Sequence, residues 1–296
     1  MMQARRWVRT GLMAAYCLSI FADGQAQGVT ALPLEGFKNL EFVGIEKEPI
    51  KLSEGSYSGG PRLSVKLSEE LAASGDLNAD GMPETALLLT KSAGGSSELV
   101  YLAIVSPQPD GQLKNTATVL LGDRVQIRGL ELKPGAVEVA AVVAGRKEPA
   151  CCPTNKVLKT FQWMGTELRE GPVQAQGSLS LQDLEGKTWT LQRLGLKEAP
   201  LSGRSATLMV KGEKVAGSGG CNRYFSRLKD NGPGQISFGP VGATKMACPE
   251  ALMKLEQAYF QKLEKVKAFG YHMGKLALTY PEASGTDALV FVAEPL

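Results

Sequence analysis

Between residues 63 and 170, apolar and polar positions change over in short runs cut by Gly, Pro and Asp. Leu63 to Leu67 alternates cleanly. Thr85 to Thr90, Glu98 to Val105, Thr116 to Leu121, Val125 to Leu132, Val137 to Val143, Val157 to Trp163 and Glu167 to Arg169 follow. Turn signals stand between them at Pro107 to Gly111, Gly122-Asp123, Pro134-Gly135 and Gly165. Short β-rich runs with this punctuation predict an all-β domain. Leu67 to Ala73 is the one stretch of this half that could form a helical turn. After residue 180 the pattern changes. Strand-like runs at Leu184 to Leu194, Ala206 to Val210, Lys214 to Gly217, Gln235 to Phe238, Leu276 to Tyr280 and Leu289 to Val292 surround one helical pattern. That pattern, Pro249 to about Lys265, has Pro in its first turn and places Leu252, Leu255, Tyr259 and Leu263 on one face.

Residues 171–180, rich in Gln, Gly and Ser and without charge, read as a linker. The expected fold is therefore two domains: a mainly-β domain over 27–170, and a small α+β domain over 181–296 in which an antiparallel sheet carries one helix.

The N-terminus bears on location. Arg5, Arg6 and Arg9 precede a short apolar run from Gly11 to Ala22, and Gly24-Gln25-Ala26 offers small residues for cleavage after Ala26. Residues 1–26 thus read as a secretory signal peptide, and the protein as periplasmic or secreted. Tyr16 sits where a lipid-attachment signal at Cys17 needs a small residue, which argues against a lipoprotein. No later stretch is long and apolar enough to cross a bilayer, so the mature chain is expected to be soluble. The segment 1–26 takes three Arg and one Asp with it, so the formal +3 becomes +1 and carries no argument for nucleic acid. The remainder is uneven: 15 Lys/Arg against 18 Asp/Glu in 27–180, and 15 against 11 in 181–296. This split suits either a weak attraction between the two parts or a weak contact of the basic second part with an anionic surface such as lipid or polymer.

The best ligand-like motif is Asp76-Leu-Asn78-Ala-Asp80-Gly81-Met82-Pro-Glu84. Oxygens from Asp76, Asn78 and Asp80, the carbonyl of Met82 and the acid of Glu84 are the set a calcium loop presents, although Leu87 stands where an EF-hand has its last Glu. The expected cofactor is Ca2+, against the plainer reading of an Asp/Asn/Gly turn. The motif resembles the D-x-D-x-D-G-x-x-D loops of FG-GAP-type exported β-domains, with a single copy in this chain. Four cysteines remain after cleavage: Cys151, Cys152, Cys221 and Cys248. An even number in an exported chain favours disulfides, with three connectivities open. The adjacent Cys151-Cys152-Pro153 could close a strained vicinal bridge. This segment resembles one that accompanies D-x-D-x-D-G loops in exported proteins, a likeness that favours pairing within the first domain.

Trp189 in a strand, Gly217-Ser-Gly219-Gly220-Cys221-Asn222-Arg-Tyr224, Ile236-Ser-Phe-Gly239, Ala243-Thr244-Lys-Met-Ala-Cys248, the helix containing Glu256 and the closing Leu276-Ala-Leu278 follow one another in order. This succession resembles the META/HslJ family over about residues 181–296. The resemblance implies a small exported α+β module of the bacterial envelope, linked with stress, and no catalytic residues. It further implies a tight turn at Gly219 and Gly220, a Cys221–Cys248 bridge, and Asn222 and Thr244 as buried polar anchors.

Residues for catalysis are scarce. His272 is the one histidine, placed by the sequence in a turn from Gly270 to Gly274. No H-E-x-x-H, Walker loop or dinucleotide fingerprint occurs. The functional expectation is a non-catalytic envelope protein, acting as a binding or stress-stability module on an unspecified envelope protein or polymer. The alternatives are an inhibitor of a secreted hydrolase and a carboxylate-dependent hydrolase.

Overall fold

A computed structural model describes residues 34–294 except 147, 150, 151, 199, 200, 202 and 284. The proposed signal segment, Cys17 and Cys151 lie outside the described residues. The architecture is mostly β with one α-helix among those residues.

A 3-10 turn at Leu34–Phe37 leads into two short paired strands, β1 (Glu41–Phe42) and β2 (Ile50–Lys51). The next five strands form an antiparallel meander: β3 (Ser56–Ser58), β4 (Ser64–Gly75), β5 (Glu84–Ser92), β6 (Leu99–Pro107) and β7 (Leu113–Asp123). A second sheet holds β8 (Gln126–Lys133), β9 (Ala136–Val143), β10 (Asn155–Trp163), β11 (Leu168–Glu170) and β12 (Gln174–Ser178). Strand β5 shows why the meander sits in the middle. Leu87 and Leu89 turn to a cluster with Phe37, Phe42 and Ile50, while Ala86 and Leu88 turn to one with Ile127, Val139 and Phe161. A strand covered on both faces reads as continuous apolar sequence, as Ala86 to Leu89 does.

The remaining strands are β13 (Thr188–Arg193), β14 (Thr207–Lys211), β15 (Lys214–Ser218), β16 (Arg223–Gly232), β17 (Gln235–Phe238), β18 (Gly242–Ala243), β19 (Ala268–His272), β20 (Lys275–Glu282) and β21 (Gly285–Glu294). The sheet runs β15-β14-β13-β21-β20-β19-β17-β16, and β16 pairs back onto β15, so it closes into a barrel with β18 attached to β16. Closure removes the edge strands that an open sheet would expose. Trp189, Leu191, Leu208, Leu228, Leu278 and Phe291 fill the interior. The helix α1 (Glu250–Leu263) adds Tyr259 and Leu263 to that core, while Leu252 and Leu255 are only half-buried.

Several local expectations change. Leu67 to Ala73 is strand, not helical turn, because Leu67 pairs with Leu89 and Ala72 with Leu87. Ser68 to Leu71 therefore bulge from the ladder. Such a bulge re-aims side chains, and its helix-like apolar spacing comes from residues that serve no regular face. Residues 174–178 are not a free linker but strand β12, paired with β10 and exposed throughout. Gln and Ser obstruct no backbone pairing, so a linker-like composition is compatible with a strand. Gly270 to His272 belong to β19, and the turn is confined to Met273 and Gly274. Strand β16 escapes the apolar–polar pattern because an inward Ser226 and an outward Phe225 interrupt the alternation of Tyr224 and Leu228 with Arg223, Arg227 and Lys229.

Candidate functional site

The stretch from Gly217 to Cys248 builds one junction between β15, β16, the loop after β18 and α1. Asn222 lies at its centre, 5% exposed. Its backbone N–H donates to Glu256 Oε2 at 2.6 Å and its side-chain Nδ2 to Glu256 Oε1 at 2.8 Å. Its Oδ1 accepts from Thr244 Oγ1 at 2.9 Å and from Met246 N–H at 2.7 Å. Every hydrogen-bonding role but one of this side chain is used, which suits a buried amide. Thr244 is a polar anchor through that bond, but it is exposed and not buried as expected. Its hydroxyl reaches inward from a loop that solvent covers. Gly219 is favoured for a spatial reason, since a Cβ there would lie 2.6 Å from Glu256 Oε2 and 2.8 Å from the Phe260 ring. Gly220 adopts φ 104°, a conformation that favours glycine. Cys221 and Cys248 are joined, tying the strand to the start of α1. Beneath them Tyr224 and Tyr259 share a 2.7 Å hydroxyl contact, and burial pushes both phenols well above their ordinary range. Glu256 was visible only as a helix residue; its role needs the fold that brings α1 to Asn222.

The loop between β4 and β5 brings the acidic motif together. Asp76 accepts from Asp80 and Gly81 N–H at 3.1 and 3.0 Å, and Asp80 Oδ1 accepts from Met82 N–H at 2.7 Å. Ala79 and Gly81 take φ 62° and 86°. Glu84 is the buried member, 1% exposed, accepting from Leu77 N–H at 2.9 Å and Asn78 Nδ2 at 3.1 Å. Burial pushes its carboxyl above the ordinary value, against the pull of the Leu77 amide. Asn78 Nδ2 also reaches Asp80 Oδ2 at 2.9 Å, so one amide bridges two carboxylates. Met82 is exposed, with its side chain away from the loop's bonds. No group of three or more His, Cys, Asp or Glu suited to a metal occurs among the described residues. Cys152 is exposed; with Cys151 outside the described residues, the vicinal bridge is not described.

A third region was not anticipated: the seam between the barrel and the first two sheets. Asp183, in a 3-10 turn at Leu181–Leu184, accepts from Lys156 Nζ at 2.8 Å and Arg128 Nη2 at 3.0 Å. Arg128 also stacks 5.2 Å from the Tyr271 ring centroid, and burial pushes that phenol up to about 12. Tyr271 N–H donates to Gln126 Oε1 at 2.9 Å, and Gly274 N–H to the Ile127 carbonyl at 2.9 Å. The β4 bulge supplies Glu70, which holds buried Lys275 at 2.7 Å. Ser180-x-x-Asp183 was a legible capping signal, but nothing in it announced two cationic partners. His272 is exposed beside this seam, at a polar cleft of about 490 Å³ with Glu69, Glu98 and Arg193.

These features define a small closed antiparallel barrel clamped to one helix by a disulfide and a buried Asn–Glu network. Residues 182–295 match the family model described as META domain, and the chain carries a META domain over that stretch. An NMR structure of a protein from Burkholderia xenovorans is 28% identical, covering 39% of this chain and 87% of its own, with a TM-score of 0.32. No curated protein matches the chain. No helix among the described residues is long and apolar enough to cross a membrane.

Proposed function

We propose that this is an exported, non-catalytic protein of the bacterial envelope, acting as a binding or stability module. In this reading a signal peptide directs the chain to the periplasm or beyond. A β-rich domain (27–170) and a META domain (181–296) then work as one body. The observation that carries the proposal is the use of the signature's chemistry. Asn222, Glu256, Thr244, Cys221 and Cys248 are bound to one another. Residues committed to internal bonds stabilise a surface rather than turn over a substrate. Glu70, which lines the same cleft as His272, fits this reading, since it is held by Lys275.

Calcium at the Asp76–Glu84 loop belongs to this proposal as a stabilising ion. It would draw on the carboxylates of Asp76, Asp80 and Glu84 and on Asn78 turned to present its carbonyl oxygen.

The test is capture from envelope extract with the full chain as bait. The proposal expects saturable retention of an envelope component. Stoichiometric retention of one secreted hydrolase, with loss of its activity, would instead establish an inhibitor.

A further inference from the structure

Strand alternation leaves one face of the barrel with an unusual composition. Along β14, β15 and β16 the inward residues Leu208, Val210, Val215, Tyr224 and Leu228 are buried. Their neighbours point outward, and cross-strand register aligns them in rows. Met209 pairs with Ala216 and Ala216 with Phe225, forming an apolar row. Met209 is 45% exposed and Phe225 68% exposed. Two residues along, Lys211 pairs with Lys214 and Lys214 with Arg227, forming a cationic row; Arg223 stands on the other side of Phe225. All four cations are exposed. Among the described residues no salt bridge engages them. Like charges facing one another across strands cost stability, and an aromatic at their centre, 68% exposed, leaves most of its surface in water.

The Phe225 ring is nevertheless held in place. It lies over Gly242, where an added Cβ would come within 2.7 Å of it. Two apolar clefts of about 530 and 400 Å³ flank the row, one against Phe225 and Pro240, the other against Met209 and Lys187, with Lys214 bordering both.

We infer that this face docks on an anionic lipid bilayer. The choice of occupant rests on charge complementarity joined to apolar protrusion. A membrane interface takes cations at the phosphate level and an aromatic just beneath them, along one flat surface. An acidic protein would satisfy the cations but needs a matching pocket for Phe225. A second copy would bring cation against cation. The proposal rests on the envelope reading and names the surface it uses.

The experiment is vesicle flotation of the full chain with phosphatidylcholine alone and with added phosphatidylglycerol. Partition is expected only into the anionic vesicles, and is lost at about 1 M salt, where screening acts within about 3 Å. Phe225→Ala lowers partition about tenfold, as removing one inserted ring would. Lys214→Glu abolishes it, and Met209→Ala gives a smaller loss. All three sites are exposed, and unchanged melting of each variant certifies its fold. Equal partition into both vesicle types, no partition at all, or dimerisation relieved by Phe225→Ala would each overturn the lipid surface. A protein that ignores vesicles yet retains an envelope protein would overturn this inference alone and leave the module reading standing.

Discussion

Two residues decide how much of the chemistry is internal. Asn222 holds Glu256 by two bonds and two further donors by its carbonyl oxygen. Asn222→Ala removes partners from a half-buried carboxylate and two other groups, so urea denaturation should show a loss of about 3 kcal/mol. Gly219→Ala should cost about 2 kcal/mol, through contact of its Cβ with Glu256 and Phe260. Glu84 makes the opposite kind of statement. Its raised pKa means the folded chain keeps a proton that the unfolded chain has released. The stability tied to this proton is fully present in acid and falls as pH rises from the unfolded to the folded value. Relative to Glu84→Gln, the native chain should therefore lose stability as pH rises above the ordinary Glu range. Millimolar calcium should reverse that slope and raise the melting temperature, because a bound cation favours the charged carboxylate. No calcium response, or one that survives Asp80→Ala, would contradict a calcium loop. The sequence exposed the residues of both sites through their spacing. It did not expose the burial of Glu84 or the exposure of Thr244, which depend on what packs above each loop.

At the scale of elements, three local devices do most of the positioning. The disulfide fastens the Gly219-Gly220 turn to α1, so Cys221→Ser and Cys248→Ser should destabilise equally, by about 3 kcal/mol on chain-entropy grounds. The β4 bulge carries Glu70 to Lys275. The β19–β20 hairpin holds Met273 at φ 45° and Gly274 at φ 80°, a turn that prefers Asn before Gly. Met273 stands there because its side chain, 3% exposed, enters the core shared by Leu88, Ile127 and Phe161. Met273→Asn suits the turn yet should cost about 2 kcal/mol in thermal unfolding, since it removes that burial. Strands with clean alternation were legible, as was the helix, whose Pro249 and apolar stripe are local signals. The bulge, β12 and β19 were not. Each is shaped by what lies against it rather than by its own residues: β5 for the bulge, β10 for β12 and the seam for the hairpin.

At the scale of the molecule, the barrel and the first two sheets meet through charge as well as packing. Asp183 is nearly enclosed and faces both Lys156 and Arg128. Removing it leaves two cations in a tight seam, so Asp183→Ala should destabilise by about 3 kcal/mol or more. In calorimetry the native chain should unfold in one transition and this variant in two, as the barrel separates from the sheets. The charge asymmetry of the composition is only partly visible at the seam: Lys275 of the basic half meets Glu70 of the acidic half, whereas at Asp183 the cations come from the acidic half. More of the basic excess lies on the outer face around Phe225. The central proposal is that the assembled body binds the envelope. The most direct measurement is co-sedimentation of the full chain with isolated outer membranes and with peptidoglycan sacculi over a range of protein concentrations. The account predicts saturable sedimentation with one of the two. A chain that stays in the supernatant with both would contradict it.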